Sequence, residues 1–236
     1  MLSAAKEKII VALDAPDGAS ALRLVDELAG AITWVKVGLQ LFTAEGPAIV
    51  VAMKERHLKV FLDLKFHDIP KTAHEAVRSA LALGADMATI HLSGASRMVQ
   101  SAVEAAVGSR LLVLGVTVLT SLDHSQLREI GVLRTPEEQV IALVELGYRC
   151  GLRGVVCSPL EIGPLRSKFG DSLTIVTPGV RPSGSTTDDQ RRVMTPADAV
   201  RTGANYLVIG RPITAASSPR EAALRIVEEI SASLSA

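Results

Sequence analysis

Eight short apolar runs recur along the chain: KIIVALD (8–14), WVKVGL (34–39), KVFLDLK (59–65), MATIHL (87–92), LLVLGVTVL (111–119), GVVCS (154–158), LTIVTPG (173–179) and YLVIGR (206–211). They lack the polar alternation of a half-solvated strand, so they predict strands buried on both faces, which means parallel strands covered by helices. Between most of them the apolar residues fall at helical spacing, as in SALRLVDELAG (20–30), TAHEAVRSALALG (72–84) and RMVQSAVEAAV (97–107). Gly30, Gly84 and Gly203 sit where such helices should end, and a left-handed glycine there turns the chain into the next strand. Eight strand–helix units in 236 residues predict an α/β fold, a single (β/α)8 TIM barrel over 1–236, with a doubly wound open sheet as the alternative.

Two polar stretches are longer than the rest, LTSLDHSQLREIGVLRTPEEQV (119–140) and PGVRPSGSTTDDQRRVMTP (178–196). Both follow strand runs, so in a barrel both belong to the C-terminal mouth, where loops carry function. No linker, low-complexity tract or charge block divides the chain.

Composition narrows the picture further. Hydrophobic residues make up 48% of the chain and aromatic ones only 3%, so the core is aliphatic, which favours α/β over a sandwich. Net charge is zero, with 25 basic and 25 acidic side chains dispersed, which removes the basis for a nucleic-acid or membrane-surface partner and favours a small molecule. Cys150 and Cys157 form no C-x-x-C pair, are too few for a zinc site, and read as core residues of a reduced compartment. The N-terminal apolar run, Ile9–Leu13, is only five residues long and is interrupted by Asp14, so it predicts neither a signal peptide nor an anchor, and a soluble, cytoplasmic protein is expected. His57, His67, His74, His91 and His124 show no metal-binding spacing, and no phosphate-cradling glycine motif of the dinucleotide or P-loop type occurs. The chemistry therefore falls to side chains, with no metal and no cofactor expected.

The candidates are charged. Asp63 and Lys65, two apart at the end of the third run, should point the same way, into the mouth of the barrel, and Asp68 lies just past the strand. Lys36 interrupts the second run, where a buried ammonium without a counterion would cost several kcal/mol. In a barrel the second strand is flanked by the first and third, whose ends carry Asp14 and Asp63. Charged strand ends alone can form an ion-pair network that closes the barrel top, but four or five charges converging where barrels do catalysis favour a reactive site. At the ends of the seventh and eighth runs, Arg181 and the pair Gly210–Arg211 occupy the usual phosphate position of such barrels.

DLKFHDIPKT closely resembles the D-x-K-x-x-D-I-P-x-T signature of orotidine 5'-phosphate decarboxylases. The resemblance covers nearly the whole chain, through VALD (11–14), VKVGLQLFTAEGP (35–47), IHLSGA (90–95), VTVLTS (116–121), TPGVRP (177–182), DDQRRVMTP (188–196) and VIGRPIT (208–214) in the family's order. It implies conversion of orotidine 5'-monophosphate to UMP and carbon dioxide, with Lys65 as proton donor and Lys36, Asp63 and Asp68 completing a catalytic tetrad. It further implies that Asp14 and Lys36 hold ribose hydroxyls, that Thr120 contacts the pyrimidine, and that Gln190 bridges base and phosphate. Arg181, Gly210 and Arg211 would hold the phosphate. Members are usually homodimers with shared sites, so Asp68, Ile69 and Thr72 would reach into the partner's site. Loss of the C6 carboxylate leaves a carbanion with no adjacent carbonyl, so a cation must meet it, and carboxylates beside Lys65 favour its charged form.

Magnesium-dependent sugar-phosphate decarboxylases and hexulose-phosphate synthases also carry D-x-K-x-x-D, but with an acidic metal ligand where this chain has Lys36. A catalytically inactive nucleotide-binding barrel is the other alternative, disfavoured because every tetrad position is filled. Lys71 and Leu92 depart from the residues common in the family, Asn and Ala, and bear on loop packing alone.

Overall fold

Each apolar run becomes a strand because its residues are buried on both sides of one sheet. The computed structural model describes residues 2–182 and 194–234. Its strands are β1 (Ile9–Ala12), β2 (Trp34–Gly38), β3 (Lys59–Phe66), β4 (Met87–His91), β5 (Leu112–Val116), β6 (Gly154–Val156), β7 (Thr174–Pro178) and β8 (Tyr206–Ile209). Neighbours pair in parallel and in sequence order, and β1 pairs with both β2 and β8, so the sheet closes. Closure selects the barrel over the open sheet.

Alternation along each strand sorts side chains into two cores. Ile10, Ala12, Trp34, Phe61, Met87, Leu114, Val176 and Val208 fill the barrel interior. Their neighbours Ile9, Val11, Val35, Val37, Val60 and Leu62 face outward into the larger core under the helices. Each fully buried side chain of this size contributes about 1.5–3 kcal/mol, so both layers hold the strands in place. Cys157 lies in the outer core, whereas Cys150 is only half-buried at a helix end, less enclosed than the sequence predicts.

The helices begin slightly before the apolar periodicity does. The three predicted from 20, 72 and 97 run over Gly18–Glu27, Pro70–Ala82 and Ala95–Glu104. Capping is the reason in the first two: the Asp17 side chain accepts a hydrogen bond from the Ser20 amide, and Pro70 supplies a preset first turn. Gly30, Gly84 and Gly203 have φ of +79°, +82° and +118°, the left-handed geometry expected of them. Among the described residues no helix is long and apolar enough to cross a membrane.

The polar stretch 119–140 contains a short helix, His124–Glu129, and then the start of Pro136–Arg149, each opened by a capping box, Asp123 with Gln126 and Thr135 with Glu138. The stretch 178–196 is pinched at its base, where Val180 bridges to Met194 and the Arg181 amide donates to the Met194 carbonyl at 3.1 Å.

Candidate active site

Parity puts two charges inside the barrel. Trp34 and Phe61 face inward, so Lys36 and Asp63, two residues further along β2 and β3, face inward one layer closer to the mouth. The Lys36 Nζ lies 3.1 Å from Asp14 Oδ1 and 3.8 Å from Asp63 Oδ2. The Lys65 Nζ lies 2.9 Å from both oxygens of Asp63. The four charges form a row, Asp14, Lys36, Asp63, Lys65, in which each sign is followed by its opposite. Lys36 and Asp63 are sequestered, with side chains 12% and 13% exposed, while Lys65 at 29% and Asp14 at 64% open toward solvent. Gly38, opposite Asp63 in the β2–β3 register, makes room for the row, since a Cβ there would sit 2.9 Å from the Lys36 Nζ.

Lys65 does not reach Asp63 by a regular pleat, as its spacing in sequence suggests. Leu62 pairs with Ala88 and Phe66 with Ile90, so four steps along β3 oppose two along β4 and the strand bulges. Inside the bulge Lys65 has φ of +53°. A non-glycine residue held there costs about 1–3 kcal/mol, tolerated where surrounding contacts over-determine it. One such contact is Thr89, fully buried on β4: its hydroxyl accepts from the Lys65 amide at 2.8 Å and donates to Asp63 Oδ1 at 3.0 Å.

The row floors a cavity of about 330 Å³ at the C-terminal mouth, lined also by Ala12, Val116, Val118, Val156, Pro178 and Val208. Thr120, Gly179, Arg181, Gly210 and Arg211 complete its wall. The volume falls at the lower end of small-molecule sites, roughly 300–1,000 Å³. In the closed ring β7 stands opposite β3 and β8 is next to β7, so Arg181 and Arg211 enter the cavity lining from the side away from the bulge that carries Lys65. Asp14 spans the two ends: Oδ1 meets Lys36, and Oδ2 lies 3.7 Å from where a Cβ on Gly210 would be.

The described residues therefore bring together Asp14, Lys36, Asp63, Lys65, Thr120, Arg181, Gly210 and Arg211. Asp68, Ile69 and Thr72 are not among the lining residues of their own chain's cavity. All three are exposed at the start of the helix that follows β3, Ile69 at 68%, and Asp68 Oδ1 accepts from the Ile69 amide at 2.7 Å. Gln190 lies outside the described residues.

Thr89, Gly38 and the valine wall escaped the reading of the sequence. Their signals are faint: a hydroxyl within MATIHL, a glycine closing WVKVG, and valines that any strand would carry. His91 is a strand residue. It ends β4 half-buried, its ring 5.3 Å from that of His67, and burial, together with the nearby charges of His67 and Lys65, holds its pKa below the usual imidazole value.

A model of the orotidine 5'-phosphate decarboxylase / HUMPS family matches residues 7–226. An orotidine 5'-phosphate decarboxylase of Moorella thermoacetica is 53% identical, over 96% of this chain and 93% of that protein, and one of Actinobacillus succinogenes is 50% identical, over 96% and 97%. Among solved structures, an orotidine 5'-phosphate decarboxylase from Lactobacillus acidophilus superposes with a TM-score of 0.85 at 35% identity, covering 95% of this chain and 99% of that one.

Proposed function

The chain belongs to the orotidine 5'-phosphate decarboxylase / HUMPS family, and from that premise we propose how it turns orotidine 5'-monophosphate into UMP and carbon dioxide: directly, without a metal ion, with Lys65 as proton donor. The decarboxylation is the one its relatives' names describe, and as a carboxy-lyase step that yields UMP it belongs to pyrimidine biosynthesis. The observation that carries the mechanism is the Lys65 ammonium held 2.9 Å from both Asp63 oxygens at one side of a cavity whose other side bears Arg181 and Arg211.

The substrate phosphate sits at Arg181, Gly210 and Arg211, where two guanidinium groups and an unobstructed backbone meet it. The ribose lies over Asp14 and Lys36, and the base reaches toward Lys65 beside Thr120. The C6–carboxylate bond breaks, its electron pair stays on C6, and carbon dioxide departs. Lys65 stabilises the pair and transfers a proton to C6, becoming neutral until solvent restores its charge. Asp63 faces the substrate carboxylate, a repulsion that fades as carbon dioxide leaves. A pair of unit charges about 4 Å apart at an effective dielectric of about 20 is worth about 4 kcal/mol, so one contact does not supply a large acceleration. Binding energy from the remote phosphate, through Arg181 and Arg211, supplies more.

Lys36 argues against the magnesium-dependent members of the wider group. Its ammonium occupies the space between Asp14 and Asp63 where a divalent cation would have to bind, and like charges there repel. Chelator-treated enzyme is expected to consume orotidine 5'-monophosphate, followed by its absorbance, at the untreated rate. Activity that vanishes with chelator and returns with magnesium would establish the metal-dependent alternative.

Arg211→Ala is expected to lower kcat/KM by about ten- to hundredfold, with KM raised, since a charge-assisted hydrogen bond to phosphate is worth about 1.5–3 kcal/mol. Unchanged kcat and KM would remove Arg211 from the phosphate site.

In the same reading the active form is a homodimer. Asp68, Ile69 and Thr72, exposed together beside the β3 end, extend into the partner's cavity, so that each tetrad is completed by Asp68 of the other subunit. Their exposure in the single chain supports this, since an exposed carboxylate that does not line its own cavity is available to another.

A further inference from the structure

We infer that Thr89 is a positioning residue for the reaction: its buried hydroxyl sets the Asp63–Lys65 geometry by holding the β3 bulge and the carboxylate at once. The inference rests on the reading of Lys65 as proton donor. Thr89 is fully buried, so its hydroxyl carries its bonding entirely within the protein, and both of its bonds go to the reactive pair. In accepting the Lys65 amide at 2.8 Å, it takes up an N–H that the bulge has removed from the regular β3–β4 ladder. In donating to Asp63 Oδ1 at 3.0 Å, it fixes the rotation of a carboxylate that also meets Lys65 and Lys36.

Neither partner is otherwise well restrained. Lys65 occupies left-handed backbone at φ +53°, which a lysine does not prefer, and its side chain is long enough to follow the backbone wherever it relaxes. Asp63 sits between two ammonium groups, at 2.9 and 3.8 Å, and without a third bond its carboxylate can rotate toward either. One hydroxyl thus joins the backbone conformation of the proton donor to the orientation of its neighbour. Thr89 does not line the cavity, so this role is separate from substrate binding.

Thr89→Val tests the inference, because it keeps shape and strand preference and removes only the hydroxyl. It leaves a buried amide and a carboxylate each short of a partner, and the bulge relaxes. The expected result is a fall in kcat of about ten- to hundredfold, the scale of a small misplacement of reacting groups, with KM and the stoichiometry and affinity of UMP binding close to wild type. Thr89→Ser, which restores the hydroxyl with a smaller side chain, is expected to recover most of kcat. A valine variant within about twofold of wild-type kcat overturns the inference, as does a loss of kcat that only parallels a loss of UMP-binding sites, which is a folding defect. A serine variant as slow as valine overturns it too, because packing rather than hydrogen bonding would then be at work. Wild-type enzyme measured alongside keeps the two readings apart: if it releases no carbon dioxide, the proposed reaction fails and not the positioning role.

Discussion

Lys65→Ala is expected to lower kcat for orotidine 5'-monophosphate by more than about 10⁴-fold, because two contributions disappear together. A positioned proton donor is worth about 10²–10⁴-fold, and an electrostatic group that meets developing charge adds about 10²–10³-fold. The variant also exposes what Lys65 offsets. Asp63, now facing the substrate carboxylate with only Lys36 at 3.8 Å and the Thr89 hydroxyl at 3.0 Å, becomes a less compensated like charge. Two anions about 4 Å apart at an effective dielectric of about 20 repel by about 4 kcal/mol, so substrate affinity should fall. UMP, which has no carboxylate at C6, should bind the variant about as well as the wild type. Calorimetric UMP binding therefore serves both as the folding control and as the contrast. Turnover within about tenfold of wild type would show that the proton reaches C6 from elsewhere.

The barrel was legible because parallel strands inside a shell of helices must be apolar on both faces, and each of the eight runs therefore stood out. The charged row was legible for a related reason. Lys36 conflicts with its run, and alternation from Trp34 and Phe61 puts Lys36 and Asp63 on the interior face. The geometry between Asp63 and Lys65 was not. A left-handed lysine is imposed by a contact with Thr89, 24 residues away in the chain, and no local propensity announces it. Thr89 itself is β-branched and passes for an ordinary strand residue. Gly38 closes a strand, and only the Lys36 ammonium beside it shows why a side chain there would intrude. That Arg181 and Gly210–Arg211 line the cavity was readable from position alone, since they follow the last two strands. Asp68 is a case where spacing and resemblance divide. Three places after Lys65, its spacing suggests a neighbour in one site, the resemblance assigns it to a partner's, and in the structure it is exposed beside Ile69 and does not line the cavity of its own chain.

That exposure makes the last prediction a large one. If Asp68 serves the partner's site, Asp68→Ala and Lys65→Ala are each inactive as homodimers, and their mixture is not. In a mixed dimer one site combines both substitutions and is dead, while the other combines the intact Lys65 of one chain with the intact Asp68 of the other. Each mixed dimer then carries one wild-type site of its two, and random exchange at equal concentrations makes about half of all dimers mixed. Activity should therefore climb from near zero to about a quarter of wild type, a rise of some hundredfold or more over either parent. Such a gain cannot arise from independent sites, because no chain in the mixture contains both residues. If tagged mixed dimers, purified and shown to contain both chains, remain as inactive as the parents, Asp68 acts within its own subunit or not at all. The exposed cluster at the end of β3 would then need another explanation. Recovery would instead make the β3 bulge a junction between two sites, with Lys65 turned inward by Thr89 to its own cavity and Asp68 directed outward to the neighbour's.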